Sequence, residues 1–387
     1  MYQIKTLNKI ASVGTDILTQ RNCTLGDDVA NPQGILVRSA NMHDYDFGSE
    51  LVAIARAGAG TNNIPVSDCA EQGIVVFNTP GANAEAVKEL AICALLMASR
   101  NVVGGARWAF AQQGKGTEIP KLVEKHKSEF VGPEITGKTL GVIGLGAIGA
   151  KIANAANDLG MEVYGYDPYL SVDAAWMLSR DVQHAVNVDK IYEKCDYITI
   201  HVPYMPATHH TINSETIAMM KDGVRILNLA RGELVDDEAM KVALESGKVA
   251  KYVTDFPNET ILSCPNVIPM PHLGASTPES EDKCAVMAAK ELYDYLDNGN
   301  IKNAVNMPNV NLPRMGEARL CVVHKNVPKM LNKILEFVAD QNINVEHMIN
   351  KSKGEYAYTM MDVSSKIDDT IKAGIESMAE VKRVRVI

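Results

Sequence analysis

No stretch of the sequence is apolar for long enough to cross a bilayer. The longest such run, residues 90–98, falls far short of the roughly 20 residues a spanning helix needs. The first ten residues alternate polar and apolar side chains as an edge strand would, and they lack the apolar core of a secretory leader. The 7 cysteines (Cys23, Cys69, Cys93, Cys195, Cys264, Cys284, Cys321) form no C-x-x-C pair and no Cys/His cluster at zinc spacing, so no metal site is expected. An odd number scattered in this way predicts free thiols in a reducing compartment, and the chain is expected in the cytoplasm. Basic charge is also short, with 38 Lys and Arg against 47 Asp and Glu and a formal net charge of −9. That balance argues against a nucleic-acid partner. It leaves room for small anions, which need only one or two local cations. There is no internal repeat and no low-complexity segment.

What is present is the composition of a globular protein, 46% hydrophobic and 22% charged, and 387 residues suggest two or three domains. Short apolar runs at 34–37, 51–55 and 74–77 alternate with helical patterns, which predicts a buried parallel sheet. Residues 82–105 are apolar on most faces and predict one long buried helix. A polar excursion follows over roughly 112–138. From Lys138 a new alternation begins, with strands predicted at 139–143, 162–166, 197–202, 224–229, 249–255 and 266–270. Six strands alternating with helices predict a doubly wound sheet. A helix near 279–297 comes next, then a linker at 309–313. Beyond it, strand, helix, strand, strand, helix and strand over 319–387 make one βαββαβ unit of ferredoxin-like type.

Gly144-Leu-Gly146-Ala-Ile-Gly149 follows an apolar strand and opens a helix. In that context Gly144 permits a tight turn, Gly146 lets a pyrophosphate approach the backbone, and Gly149 lets helix pack on strand. The helix start offers unpaired N–H groups to the phosphates. Asp167 ends the next strand, where a carboxylate accepts from ribose hydroxyls and repels a 2′-phosphate. No arginine follows it immediately, so NAD rather than NADP is the expected cofactor.

Three charged groups follow successive strands of the same alternation: Arg231 in N-L-A-R-G, Glu259 after Asp255, and His272 in M-P-H-L-G. Hydride chemistry on a 2-hydroxy acid needs a cation for the carboxylate and C2 oxygen, and a proton acceptor for the hydroxyl. Arginine offers a bidentate fork and histidine exchanges protons near neutral pH. Each also has a structural reading: Arg231 as a helix-capping arginine, Glu259 as a loop acid, His272 as a hydrogen-bonded core histidine. Their recurrence at the strand ends of one sheet favours catalysis.

The stretches R-A-G-A-G-T-N-N-I, N-T-P-G-A-N-A, G-K-T-L-G-V-I-G-L-G-A-I-G, L-N-L-A-R-G-E-L-V-D and P-H-L-G-A-S-T resemble the D-isomer-specific 2-hydroxyacid dehydrogenases, and the resemblance covers essentially the whole chain. Within that family the chain is most similar to the branch that acts on a phosphorylated 2-hydroxy acid and carries a C-terminal ACT domain. The resemblance implies an α/β fold of two doubly wound parallel-sheet domains plus a ferredoxin-like ACT domain. The implied substrate domain is discontinuous and flavodoxin-like (1–88 and 280–307). The implied NAD-binding Rossmann domain is 89–279, and the ACT domain 319–387. Closure of a cleft between the first two would exclude water from the hydride.

The family further implies that Arg231 binds the substrate carboxylate and polarises the C2 oxygen. His272 would be the proton donor and acceptor, with Glu259 the partner of the imidazolium. Thr79, Ala147, Ile148, Asp167, Val202, Ala230, Asp255 and Gly274 would line the NAD site, Asp255 meeting the nicotinamide carboxamide. Arg56, Ala57 and Gly58 would hold the acid or phosphate end of the substrate, with Asn83 ordering its loop. The stretch from Asp255 to Glu259 is one residue shorter than the family's. Serine-regulated relatives place an effector such as L-serine at positions matched here by His324, Asn326 and Asn344. This chain departs from them at Lys329, where the relatives carry glycine after the helix-opening proline. An exposed edge of the C-terminal sheet invites pairing with another copy, so a homo-dimer or homo-tetramer is expected. Two other readings remain open: a glycerate/hydroxypyruvate reductase or D-lactate-type enzyme, and an NAD(H)-sensing binding protein on the same fold.

Overall fold

A computed structural model describes residues 1–387 apart from residue 173. The chain forms two compact units, one from Met1–Asn83 with Pro278–Ile387 and one from Ala84–Thr277.

In the first unit, β1 (Tyr2–Leu7), β2 (Cys23–Gly26), β3 (Gly34–Val37), β4 (Ala53–Arg56) and β5 (Val75–Phe77) make a parallel sheet in the order β2-β1-β3-β4-β5. This is the flavodoxin-like order. Alternate residues of the central strands face opposite layers. Leu36, Ala53 and Ala55 pack with Ala288, Leu292 and Tyr295 of the helix Pro278–Asn298, while Ile35, Val37 and Ile54 pack with Ile64 and Cys69. The helix Ser12–Thr19 lies so close to Pro278–Asn298 that a Cβ on Gly14 would stand 2.6 Å from the Ala285 backbone. The N-terminal strand is not at the edge its alternation suggests. β2 pairs along its outer side, Tyr2 opposite Cys23 and Ile4 opposite Leu25, and makes β1 an interior strand.

The second unit opens with two helices where one is predicted. Ala84–Ser99 stops, and Val102–Phe110 starts afresh with the Asn101 side chain accepting from the Gly104 N–H at 3.2 Å. That N-cap supplies a local alternative to continuing the first helix. The polar excursion contains the helix Ile119–His126. Seven parallel strands follow: β6 (Thr139–Ile143), β7 (Glu162–Tyr166), β8 (Gln183–His184), β9 (Tyr197–Ile200), β10 (Val224–Asn228), β11 (Val249–Thr254) and β12 (Val267–Pro269). Their order, β12-β11-β10-β9-β6-β7-β8, reverses direction between β6 and β9. Such a switch point opens a crevice at the carboxyl ends of the strands.

The chain closes on an antiparallel sheet of β13 (Ala318–Lys325), β14 (Val345–Lys353), β15 (Tyr356–Val363) and β16 (Val381–Val386), in the order β14-β15-β13-β16. With the helices Met330–Asp340 and Asp369–Glu376 this is the predicted ferredoxin-like unit. In its core Arg319 grips Asp362 bidentately, at 2.6 and 2.8 Å, with both side chains fully buried. Lys325, Lys382 and Tyr356 converge on Glu71 of the first sheet's helix Val66–Glu71 and draw its pKa down to about 2. Arg385 donates to the carbonyls of Tyr295 and Leu296 at 2.8 and 2.6 Å. The seven cysteines are free thiols. Among the described residues no helix is long and apolar enough to cross a membrane.

Candidate functional site

Most of the sequence-predicted positions in the second unit lie at or just beyond the carboxyl ends of its parallel strands. β6 runs into Gly144, whose φ of +92° turns the chain into the helix Ala147–Asp158. A Cβ on Gly144 would stand 2.7 Å from the His201 carbonyl oxygen and 2.9 Å from Val202, so the turn is pressed against the end of β9. A Cβ on Gly149 would run into the Gly144 carbonyl oxygen. Gly146 has open space where its side chain would be, which leaves the helix N-terminus approachable. Ala147 and Ile148 begin that helix. Asp167, just past β7, accepts from the Leu145 N–H through Oδ2 and from the Tyr169 N–H through Oδ1, both at 2.9 Å. These bonds aim the carboxylate beside the glycine turn. His201 is held neutral, with burial pushing its pKa down to about 3, and its Nε2 meets Thr199 Oγ1 at 2.8 Å.

Beyond β10, the turn carrying Ala230 and Arg231 is tied by Asn228. Its Oδ1 accepts from the Ala230 N–H at 3.2 Å and its Nδ2 donates to the Arg231 carbonyl at 2.8 Å. Asn228 is fully buried, and no role was assigned to it from the sequence. A polar residue closing an otherwise apolar strand is the signal that marks it. Arg231 itself is exposed, with its guanidinium 6.0 Å from the centre of the Phe256 ring.

The segments after β11 and β12 are laced together. The Met270 N–H donates to the Thr254 carbonyl at 2.9 Å, and the His272 N–H to the Asp255 carbonyl at 3.0 Å. These bonds hold His272 at φ +47°, a left-handed backbone that costs about 1–2 kcal/mol in a non-glycine residue. The exposed imidazole packs on Phe256, ring centres 4.7 Å apart. Phe256 therefore joins Arg231 and His272 on one ring, a residue sequence reasoning passed over because an apolar side chain carries no chemical signature. Asp255 is 1% exposed. Its Oδ2 accepts from the Gly274 N–H at 3.2 Å, while Oδ1 is buried with no hydrogen-bond partner. Burial raises its pKa against the pull of the Gly274 N–H, His272 and Arg231. Glu259 begins the short helix Glu259–Leu262 after the capping Asn258, and its side chain is exposed. Among the described residues no hydrogen bond or ion pair joins it to His272.

In the first unit, Arg56 ends β4, donates to Asn63 Oδ1 at 3.0 Å, and folds its guanidinium over Gly58. The Ala57 N–H donates to the Val37 carbonyl at 2.8 Å, continuing the sheet one step past the strand. The Thr79 N–H donates to the Gly58 carbonyl at 3.1 Å, so these loops are neighbours. Thr79 Oγ1 and Asn83 Oδ1 are buried without partners. A buried polar atom left open costs about 1–3 kcal/mol unless something completes it. Thr79, Asn83 and Asp255 thus share the mark of positions made for a ligand.

A dinucleotide suits the donor set of the second unit. The open Gly146 backbone at a helix start fits a pyrophosphate, Asp167 fits ribose hydroxyls, and the orphaned Asp255 oxygen fits an amide N–H.

In the ferredoxin-like unit, His324 is buried with both ring nitrogens engaged, Nδ1 at 2.8 Å from the Lys325 carbonyl and Nε2 at 2.9 Å from Thr359 Oγ1. Asn326 donates to the Gly354 carbonyl at 3.1 Å, and Asn344 is exposed just before β14. Lys329 has φ +68°, the left-handed region where glycine is at ease.

Comparison with known proteins fits this geometry. Residues 92–274 match the NAD binding domain of the D-isomer specific 2-hydroxyacid dehydrogenases. D-3-phosphoglycerate dehydrogenase of Methanocaldococcus jannaschii is 35% identical over 338 residues, covering 85% of this chain and 61% of that one. The enzyme of the same name from Haemophilus influenzae is 31% identical over 350 residues, covering 87% of this chain and 82% of its own. The chain spans 61% and 58% of the length of two of its relatives, from Methanocaldococcus jannaschii and Synechocystis. Among solved structures, NAD+-bound 3-phosphoglycerate dehydrogenase of Entamoeba histolytica aligns with a TM-score of 0.63 at 24% identity, over 79% of this chain and 98% of that one. D-2-hydroxyisocaproate dehydrogenase aligns with a TM-score of 0.65 at 24% identity, over 79% and 100%. With strand order, glycine turn and sequence in agreement, the chain belongs to the D-isomer-specific 2-hydroxyacid dehydrogenase family.

Proposed function

We propose that the protein is an NAD-dependent dehydrogenase that oxidises D-3-phosphoglycerate to 3-phosphohydroxypyruvate, the entry step of L-serine biosynthesis. The observation that carries the reading is the Phe256 ring, against which Arg231 and His272 both lie beside the buried, half-satisfied Asp255. A bidentate cation and an imidazole at one ring supply the two groups that removal of a C2 hydrogen and a hydroxyl proton requires.

The nicotinamide, when bound, supplies the hydride acceptor. The chain's own residues do the rest. Gly144, Gly146, Ala147, Ile148 and Gly149 would hold the pyrophosphate, Asp167 the adenosine ribose, and Asp255, whose Oδ1 has no partner, the carboxamide end. Thr79, Val202, Ala230 and Gly274 complete the cofactor site. Arg231 orients the substrate carboxylate and polarises the C2 oxygen. The C2 hydroxyl proton passes to the His272 imidazole as the C2–H bond breaks; Glu259 is the acid assigned to favour the imidazolium, and it would have to approach His272 to do so. Arg56, Ala57 and Gly58 take the phosphate end, with Asn83 ordering their loop. His272 enters turnover with its backbone already in the left-handed region, a strain sustained by the bonds that the Met270 and His272 N–H groups donate to the Thr254 and Asp255 carbonyls.

The domain limits proposed are those of the sequence: 1–88 with 280–307, 89–279, and an ACT domain at 319–387. An amino-acid effector such as L-serine is assigned to His324, Asn326 and Asn344; His324 is buried, its ring nitrogens meeting the Lys325 carbonyl and Thr359 Oγ1. The outer strand β14 offers its edge for pairing in a homo-dimer or homo-tetramer. Seven free thiols support a cytoplasmic location.

The test is NAD(H)-linked turnover of 3-phosphoglycerate and 3-phosphohydroxypyruvate against D-glycerate and D-lactate, with and without L-serine. Preference for the phosphorylated pair is expected. Equal rates on all substrates would remove the pathway assignment and keep the dehydrogenase chemistry. Binding of NADH without turnover of any of them would leave a cofactor sensor.

A further inference from the structure

The first unit holds a cavity of about 600 Å³ that none of the proposed chemistry uses. It lies along the helix Pro278–Asn298, between the start of the helix Ser12–Thr19 and the returning segment 300–303. Its volume is in the range of small-molecule sites, about 300–1,000 Å³.

At its wall stands Glu291, only 6% exposed. Its Oε1 accepts from Asn303 Nδ2 at 2.6 Å, while Oε2 is buried without any partner. A carboxylate buried this deeply loses hydration that one amide cannot replace. Burial accordingly pushes its pKa up to about 7, against the opposing pull of Asn303 and Lys302. The open oxygen asks for a donor, and a cationic one answers best. Asp294 adds a second negative group, fixed by Asn298 and Asn300 at 2.9 and 3.1 Å.

Lys283, Lys290 and Lys302 also line the cavity, and among the described residues none of them makes an ion pair. Three unpaired ammonium groups suit an anion. Val13, Val286 and Met287 line the same cavity and suit an apolar body.

We propose that this cavity binds a zwitterionic small molecule with an apolar arm, the class of the large apolar α-amino acids, its ammonium on Glu291 and its carboxylate among the lysines. The size of the cavity favours a bulky arm over a small polar one. The site is separate from the positions given to L-serine in the ferredoxin-like unit.

The experiment is calorimetric titration of the full-length chain with L-phenylalanine, 3-phenylpropanoate and 2-phenylethylamine, the last two lacking the ammonium and the carboxylate. L-phenylalanine is expected to bind once per chain, and each analogue at least tenfold more weakly. E291Q keeps the shape and removes the charge; it should weaken L-phenylalanine tenfold or more while leaving the melting temperature intact. K290A and K302A, both at exposed positions, should each weaken it severalfold, and they carry the test if E291Q does not fold. Excess L-serine should leave the titration unchanged. No binding of L-phenylalanine overturns the proposal, as does equal binding of 3-phenylpropanoate, or binding untouched by all three substitutions.

Discussion

Two buried aspartates, one at the end of the seven-stranded sheet and one inside the four-stranded sheet, have opposite surroundings. Asp362 has both oxygens taken by Arg319 and a further bond from the Met315 N–H at 3.0 Å, and its pKa is lowered although burial alone would raise it. Asp255 is as deeply buried, yet it has one N–H on one oxygen and nothing on the other, and its pKa is raised. The ferredoxin-like unit completes this carboxylate from within. The strand ends of the second unit leave theirs to be completed from outside. Burial alone therefore does not mark a functional acid; burial with an unmet bond does, and Glu291 falls on the same side as Asp255.

This contrast can be broken by substitution. The largest expected effect is on catalysis: His272→Ala should lower kcat by about 10²–10⁴-fold with NADH binding and melting temperature preserved. A variant with normal kcat would remove the acid/base role. Next is Asp362→Ala, which leaves Arg319 buried and unpaired and should cost about 3–5 kcal/mol in chemical denaturation. Its kinetics per folded molecule should be unchanged. Asp255→Asn should do the reverse, shifting stability by about 1 kcal/mol or less while weakening NADH about tenfold or more, as lost bonds to charged groups do. A large loss of stability there would erase the distinction between the two sites.

The two carboxylates should also part company in acid. For Asp362, whose pKa is depressed in the folded state, the stabilisation is present above the unfolded value near 3.9 and is lost as pH falls through the folded one. For Asp255, whose pKa is raised, stability is greatest below the unfolded value and declines as pH rises through the folded one. Denaturation of D362N and D255N across pH 2–6 should therefore show slopes that differ from the parent in opposite senses. The smallest effect is Lys329→Gly, which relieves a left-handed φ of +68° and should stabilise the chain by about 1 kcal/mol.

The alternation of apolar runs and helices made both parallel sheets and the ferredoxin-like unit legible in the sequence. β2 and β8 were not: Cys-Thr-Leu-Gly is too short and mixed to declare a strand, and Gln183–His184 is only two residues, so six strands were expected where the second sheet has seven; missing β2 put β1 at an edge. The break at Asn101 was hidden because capping is a contest between one side-chain bond and a helix that apolar pattern alone would continue. At the candidate site, Gly144, Asp167, Arg231 and His272 carried their chemistry in their residue types. Phe256 and Asn228 did not: one matters through the imidazole and the guanidinium it gathers, the other through the turn it ties, and both depend on register across neighbouring strands. The left-handed backbone of His272 likewise arises from bonds between separate strand ends.

The first unit is assembled from two stretches of chain with the whole of Ala84–Thr277 between them. On a ribosome this sets an order of events. The sheet of β1 to β5 emerges early, but Ala288, Leu292 and Tyr295, which cover Leu36, Ala53 and Ala55, emerge only after the second unit is complete. At about 5–20 residues per second, that apolar face stays bare for roughly ten to forty seconds. The nascent N-terminal segment is then the part of this protein most exposed to aggregation, and the arrival of the helix Pro278–Asn298 is the event that ends the exposure.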